Sequence, residues 1–186
     1  MSLAYDSVVL DRPAWVTHRS RGERRWARRE LARHDRRSAR LAELVTIRDA
    51  LAHAVEIVDR GWLQNAFFSY RHADGQVHVS YVASGRASQS TVLSRCLVAA
   101  IRDAARSPAR SDDQVAGRAV EATWHALYDN GRPPIQWCPA PDVRAAHVRD
   151  LTRWNDRPGR TSSEVATLLE AAIRVADRER QRVAVS

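Results

Sequence analysis

Between Gly22 and Gly61 the chain carries neither glycine nor proline, and its apolar residues recur at helical spacing. Leu44, Val45, Leu51, Val55 and Val58 form a stripe that Ile47 and Ala54 widen, which predicts an amphipathic helix facing a core. Arg60-Gly61 supplies its stop, a basic last residue followed by glycine. Upstream of Leu41 the stripe thins to Trp26, Ala27, Leu31 and Ala39, with Arg on almost every face. As one helix, residues 22–60 would reach about 58 Å, against about 35 Å for the core of a chain this size. The basic half is therefore expected to extend beyond the body. Glu30 is spaced to support helix with Arg33 and His34, while Arg21–Arg25, Arg25–Arg29, Arg29–Arg33 and Arg36–Arg40 oppose it by similar amounts. The balance predicts a frayed helix that firms up on an anion.

After Trp62 the period falls to two. "NAFFSYRH" and "QVHVSYVA" flank "ADG", and Val77, Val79 and Tyr81 alternate with polar residues, which predicts a β-hairpin near 66–83 with Asp74-Gly75 in the turn. "SGRASQS" reads as a loop. "TVLSRCLVAAIRDAA" places Val92, Cys96, Ala99 and Ala100 on one helical face, with Leu93, Leu97 and Ile101 beside them, and Pro108 as the stop. Ser111 with Gln114 has capping-box spacing before a helix using Val115, Ala119, Ala122, Trp124 and Leu127, closed by "YDNGRPP". "IQWCPAP" reads as a rigid connector. A short helix follows over residues 142–154, with Val143, His147 and Leu151 in line. Thr161 and Glu164 form a second capping box, opening a last helix through Val165, Leu168, Leu169, Ala172 and Ile173. The fold class is thus mainly α with a small β-hairpin (α+β): a compact helical domain with a long basic N-terminal helix. Its parts are an extended arm over 1–18, where Pro13 opposes helix, a basic helical extension over 19–43, the domain over 44–176, and a polar, fraying tail over 177–186.

Charge sharpens this division. All 30 basic residues are Arg, which points first to a GC-rich genome. Between Arg19 and Arg40, however, ten Arg face three acids, giving +7 of the chain's net +8, while elsewhere 20 Arg face 19 acids. Codon bias raises Arg everywhere and does not explain a local shortage of acids. No apolar run approaches the roughly 18 residues that span a bilayer. The start, "MSLAYDSVVLDRPAW", lacks the basic and apolar regions of a secretory signal. A cytoplasmic chain without membrane contact is expected.

The segment "WNDRPGRTSSEVATLLEAAI", together with "RGWLQNAFF", "ADG" and "RCLVAAIRDAA", resembles a small domain family of high-GC bacteria whose function is unassigned. The family pattern is a Gly-Trp-x-Gln stretch, a Gly-containing turn, a Cys-Leu helix and Trp-Asn-Asp followed by Gly-Arg-Thr. The match covers about residues 44–176 and departs at Ala99, where the family more often has Gly. The resemblance implies a shared fold and carries no mechanism.

Candidate chemistry is sparse. There is no His-Glu-x-x-His, no Cys-x-x-Cys and no glycine-rich phosphate loop, so neither a metal nor a cofactor is expected. Cys96 and Cys138 are too few for a disulfide framework. On the apolar face of a helix the Cys96 thiol should be harder to ionise, which argues against a Cys–His nucleophile. A non-enzymatic chain is expected. Trp154, Asn155, Asp156 and Arg160 read first as a helix end and turn, with Thr161 as the following cap. The competing reading is a small-molecule pocket in which they converge with Trp62 and Cys96.

The leading functional element is the basic helix. Arg24, Arg25, Arg28, Arg29, Arg33, Arg36, Arg37 and Arg40 suit phosphate, and Trp26 suits stacking on a base. With no groove-reading signature, the expectation is backbone recognition of nucleic acid, RNA or the ribosome favoured. The alternatives are an acidic protein surface docked on the same helix, or a small-molecule-binding domain.

Overall fold

A computed structural model describes residues 20–82, 91–107, 110–111, 113–128, 134–135, 137 and 140–186. The expected arm over 1–18, the loop over 84–90, the Pro108 stop, most of "YDNGRPP" and Cys138 lie outside the described residues. The chain divides into two units, Met1–Ser38 and Ala39–Ser186, and helix α1 (Arg21–Arg60) enters both.

In the first unit α1 opens with a reciprocal cap. The Ser20 amide donates to Glu23 Oε2 at 2.7 Å, and the Glu23 amide donates to Ser20 Oγ at 3.2 Å. This satisfies two N–H groups that a helix start otherwise leaves open.

In the second unit α1 buries Leu44, Ile47, Leu51, Ala54 and Val58, an i, i+3/i+4 series. Val45, expected in the stripe, falls one residue off it and is exposed. The helix stops at Gly61, whose amide donates to the Ile57 and Val58 carbonyls. The chain then builds an antiparallel sheet of order β2-β1-β3 from β1 (Phe68–Arg71), β2 (Val77–Ser80) and β3 (Thr91–Arg95). The hairpin forms as expected. Gly75 takes φ +84° in its turn, and Asp74 Oδ1 accepts from the Gln76 amide at 2.9 Å.

The third strand corrects the sequence reading. Thr91–Arg95 is extended, not the first turns of a helix. Its backbone is spent on β1 and on the chain leaving α1: Arg95 N donates to Gly61 O, and Leu63 N donates to Arg95 O. Cys96 becomes the N-cap residue of α2 (Leu97–Ala105), whose first five residues are all buried. A two-residue pair, β4 (Arg106–Ser107) and β5 (Arg110–Ser111), follows. Ser111, expected as the cap, lies in β5, and α3 (Asp113–Tyr128) follows. Gln114 donates to Glu43 Oε1 at 3.0 Å.

Helix α3 is the centre of the unit, packed by α2, α4 (Pro141–Asn155) and α5 (Ser162–Val185). Trp124 of α3 stacks on the buried His147 of α4 with ring centroids 4.0 Å apart. Val143, expected in line with His147 and Leu151, is exposed. The Thr161–Glu164 capping box opens α5 as expected. The segment over 177–186, expected as a tail, is helical instead. Val175 and Ala176 carry the buried stripe forward, and buried Glu179 accepts from Arg182 at 2.7 and 3.0 Å. The result is a mainly α, α+β domain.

Two glycines make opposite demands. A Cβ at Gly61 would land on the Leu93 carbonyl oxygen, whereas one at Gly117, inside α3, meets nothing within 4 Å. Gly61→Ala is expected to destabilise by about 1–3 kcal/mol, the usual cost of overpacking. Gly117→Ala should stabilise by about 0.5–1 kcal/mol, the helix preference for alanine. Urea unfolding of both variants checks the pair, and equal signs would contradict this geometry.

Candidate functional site

The described Arg residues of the first unit lie on one helical segment. Arg24, Arg25, Trp26, Arg28, Arg29, Arg33, Arg36 and Arg37 are all exposed on α1. At roughly 100° per residue, Arg21, Arg25, Arg28, Arg29 and Arg36 fall within an arc of about 100°, with Glu23 and Glu30 on the opposite side. Trp26, 62 % exposed, flanks the stripe. Arg33 pairs with Glu30 at 3.4 Å. Among the described residues, Arg21, Arg24, Arg25, Arg28, Arg29 and Arg36 meet no carboxylate. Arg40 departs from the expected set: it belongs to the second unit, pairs with Glu43, and lies 4.6 Å from the centroid of the Trp137 ring. Arg118 lies over the same ring at 4.8 Å and also reaches Glu43. Burial pushes the Glu43 carboxyl up, but the hydrogen bonds from Gln114 and Arg40 and the two guanidinium charges outweigh it and hold the group below its usual range. Trp137, which reads in the sequence as part of a connector, is thus an anchor for two Arg side chains.

In the second unit the expected pocket residues come together differently. Asn155, 1 % exposed at the end of α4, accepts from Trp62 Nε1 at 2.8 Å and from the Leu97 amide at 3.2 Å. Its amide nitrogen donates to Leu63 O at 3.3 Å and to Asp156 Oδ1 at 2.7 Å. Asp156 also accepts from the Asn65 amide, and Gln64 donates to the carbonyls of Asn155 and Arg157. Asn65 holds φ +59°, a left-handed conformation that Asn tolerates better than most residues. Trp154 stands apart from Trp62. It lies under the Arg160 guanidinium at 3.9 Å, and Arg160 also reaches the Trp154 carbonyl and Glu164.

These bonds join three chain segments and turn the Asn155 side chain and Asp156 Oδ1 toward the protein itself. The arrangement is a clasp. Gln64 and Asn65 are its members that sequence reasoning passed over; the Gln of the Gly-Trp-x-Gln stretch was the available signal. Beside it, Cys96 lines a cavity of about 110 Å³ with Asn65, Phe67, Tyr81, Thr152 and Asp156. Burial pushes the Cys96 thiol up to about 11, so almost no thiolate exists at neutral pH. Among the described residues no group of three or more His, Cys, Asp or Glu side chains is placed to hold a metal ion. No helix among them is long and apolar enough to cross a membrane.

A family model described as a family of unknown function (DUF6197) matches residues 42–175, and the chain belongs to that family. No curated protein and no solved structure matches the chain. The basic stripe lies outside the matched residues, whereas the clasp lies inside them.

Asn155→Ala would leave an indole N–H, an amide N–H and a carbonyl unsatisfied in the interior. A loss of at least about 3 kcal/mol in urea unfolding is expected, against about 1 kcal/mol for Trp62→Phe, which removes one donor. The thiol gives a second expectation. Its folded value of about 11 lies above the ordinary 9.0, so the folded state binds the proton more tightly. The stabilisation is complete below pH 9 and falls by up to about 2–3 kcal/mol as pH rises to 11. Cys96→Ala should remove that part of the pH dependence, as urea unfolding at pH 8 and pH 11 would show.

Proposed function

We propose that this family member is a non-enzymatic nucleic-acid-binding protein that grips the phosphate backbone through the basic face of α1. The observation that carries the reading is the set of six exposed guanidiniums on residues 21–36 that meet no carboxylate among the described residues. A chain gains little stability from placing like charges at i, i+4, and an external polyanion supplies what the helix itself lacks. Guanidinium forks match phosphate oxygens two at a time. The sequence around the stripe carries no groove-reading signature, so the reading is recognition through backbone and shape. Trp26 beside it suits stacking on an unpaired base, which favours RNA over duplex DNA. The reading needs no cofactor and places the chain in the cytoplasm.

Anisotropy titrations with a labelled single-stranded RNA over a salt series test it. Neutralising about four to six phosphates gives a log–log slope of about −3 to −5. The triple variant Arg25→Glu, Arg28→Glu, Arg29→Glu should lower affinity at least about a hundredfold at low salt, without changing the unfolding midpoint. Binding indifferent to salt, or unaffected by the triple variant, would remove the proposal. Capture of a protein that survives nuclease treatment, in the absence of RNA binding, would replace it with the acidic-partner reading.

A further inference from the structure

Two clefts of the second unit adjoin along α3. The first, about 720 Å³, runs past Arg40, Arg118, Trp137, Glu179 and Arg182. Three of its guanidiniums are matched inside the protein, Arg40 and Arg118 by Glu43 and Arg182 by Glu179, while Arg144 lines it as well as the second cleft. The second, about 520 Å³, lies between α3 and α4 with Arg102 of α2 on its wall. Its floor is apolar, made by Ala116 and Val120 of α3 and Ala145 and Val148 of α4. Three guanidiniums reach it, Arg102, Arg144 and Arg149, and among the described residues none of them meets a carboxylate. Two acids also line it. Asp113 sits in the first turn of α3, where it offsets the partial positive charge of the helix start. Glu121 is 2 % exposed and lines both clefts. Of the α4 residues that line this cleft, the charged ones are Arg144 and Arg149, both exposed.

Gly117 adds an independent observation. It lines both clefts from the middle of α3, yet a side chain there would touch nothing within 4 Å. Helix propensity disfavours glycine at such a position and packing does not require it. Its structural consequence is that the two clefts stay open where they adjoin.

We propose that the α3–α4 cleft is a binding site for a small organic anion with an apolar body, a carboxylate or a phosphate monoester. The volume suits a small ligand, and the lining is the usual one for such sites: an apolar floor with a few convergent polar groups. The apolar body lies on Ala116, Val120, Ala145 and Val148, and the acid group meets the guanidiniums at the rim. A guanidinium that has no internal carboxylate gains a charge-assisted pair on binding without breaking one. This site is separate from the basic stripe and does not rest on the nucleic-acid reading.

Calorimetric titration of the full chain tests it with four probes: octanoate, octyl phosphate, octanamide and inorganic phosphate. The expected result is binding of octanoate, octyl phosphate or both, at least tenfold tighter than octanamide or inorganic phosphate. The arm that binds better identifies the acid group. At about ten times Kd the preferred probe should raise the unfolding midpoint by roughly 3–5 °C. Gly117→Leu, which fills the junction, should weaken binding at least tenfold while the protein stays folded. The pair Arg144→Ala, Arg149→Ala should do the same through charge alone, and Arg25→Glu, Arg28→Glu, Arg29→Glu should leave binding unchanged. Octanamide binding as tightly as both anions, binding of neither anion, or full binding by the Arg144, Arg149 variant would overturn the proposal.

Discussion

One buried amide holds three distant parts of the chain in register. The Asn155 side chain accepts from the Trp62 indole and from the first amide of α2, and donates to the Leu63 carbonyl. The exit of α1, the start of α2 and the end of α4 therefore meet on a single group that is 1 % exposed. A primary amide is the side chain that fits such a junction, because it carries an acceptor and two donors on one rigid plane. A carboxylate would face the Leu63 carbonyl with no donor, and an aliphatic side chain would leave every partner unsatisfied. The close passage of Gly61 against Leu93 belongs to the same constraint. Only a residue without Cβ lets the chain leave α1 beside β3 and bring Trp62 to the amide. The sheet, the buried α2 and the end of α4 are consistent with one another only while this contact holds.

Seen from that junction, the parts of the fold that were legible in the sequence are those fixed by local chemistry. The stripe from Leu44 to Val58, the Asp74-Gly75 turn and the Thr161–Glu164 box each depend on residues a few positions apart, and each forms as its spacing implies. The misreadings share a different cause. Thr91–Arg95 carries an apolar pattern that a helix could use, and only its pairing with β1, some twenty residues upstream, makes it a strand. The charged run after Ala176 reads as a tail until Glu179 is seen to be buried on its own Arg182. One local signal was present and passed over: Ser20 and Glu23 have capping-box spacing, and they cap α1. The Trp-Asn-Asp stretch was legible as a structural turn. That Asn155 is its centre depends on Trp62, more than ninety residues away.

A chain that uses Arg for every basic position needs its context to tell one guanidinium from another. Three environments separate them here. Arg182 and Arg95 are bound to buried carboxylates, Glu179 and Asp103, so each buried acid has a charged partner. Hydrogen bonds from Arg182 hold Glu179 below the usual carboxylate range despite its burial. Arg40, Arg118 and Arg160 lie over indole rings while also reaching a carboxylate, so their charge is screened from two sides. The third class has neither partner. Members of this class gather in the stripe on residues 21–36 and at the rim formed by Arg102, Arg144 and Arg149. Composition alone cannot make this distinction, since the same residue type fills all three roles.

The two unpaired sets differ in what they can hold. The stripe is convex, fully exposed and flanked by an indole, so it suits an extended polyanion whose charge repeats along the helix. The rim of the α3–α4 cleft is concave and backed by aliphatic side chains, so it suits a single acid group attached to an apolar body. Salt separates them physically. A polyanion on the stripe releases one counterion for each phosphate neutralised, and its affinity falls as a steep power of salt concentration. An anion in the cleft loses only the screened attraction of two or three guanidiniums, while burial of its apolar body is independent of ionic strength. The matched residues 42–175 contain the cleft and the clasp but not the stripe. An activity that resided in the matched residues would therefore draw on the second unit and not on the stripe.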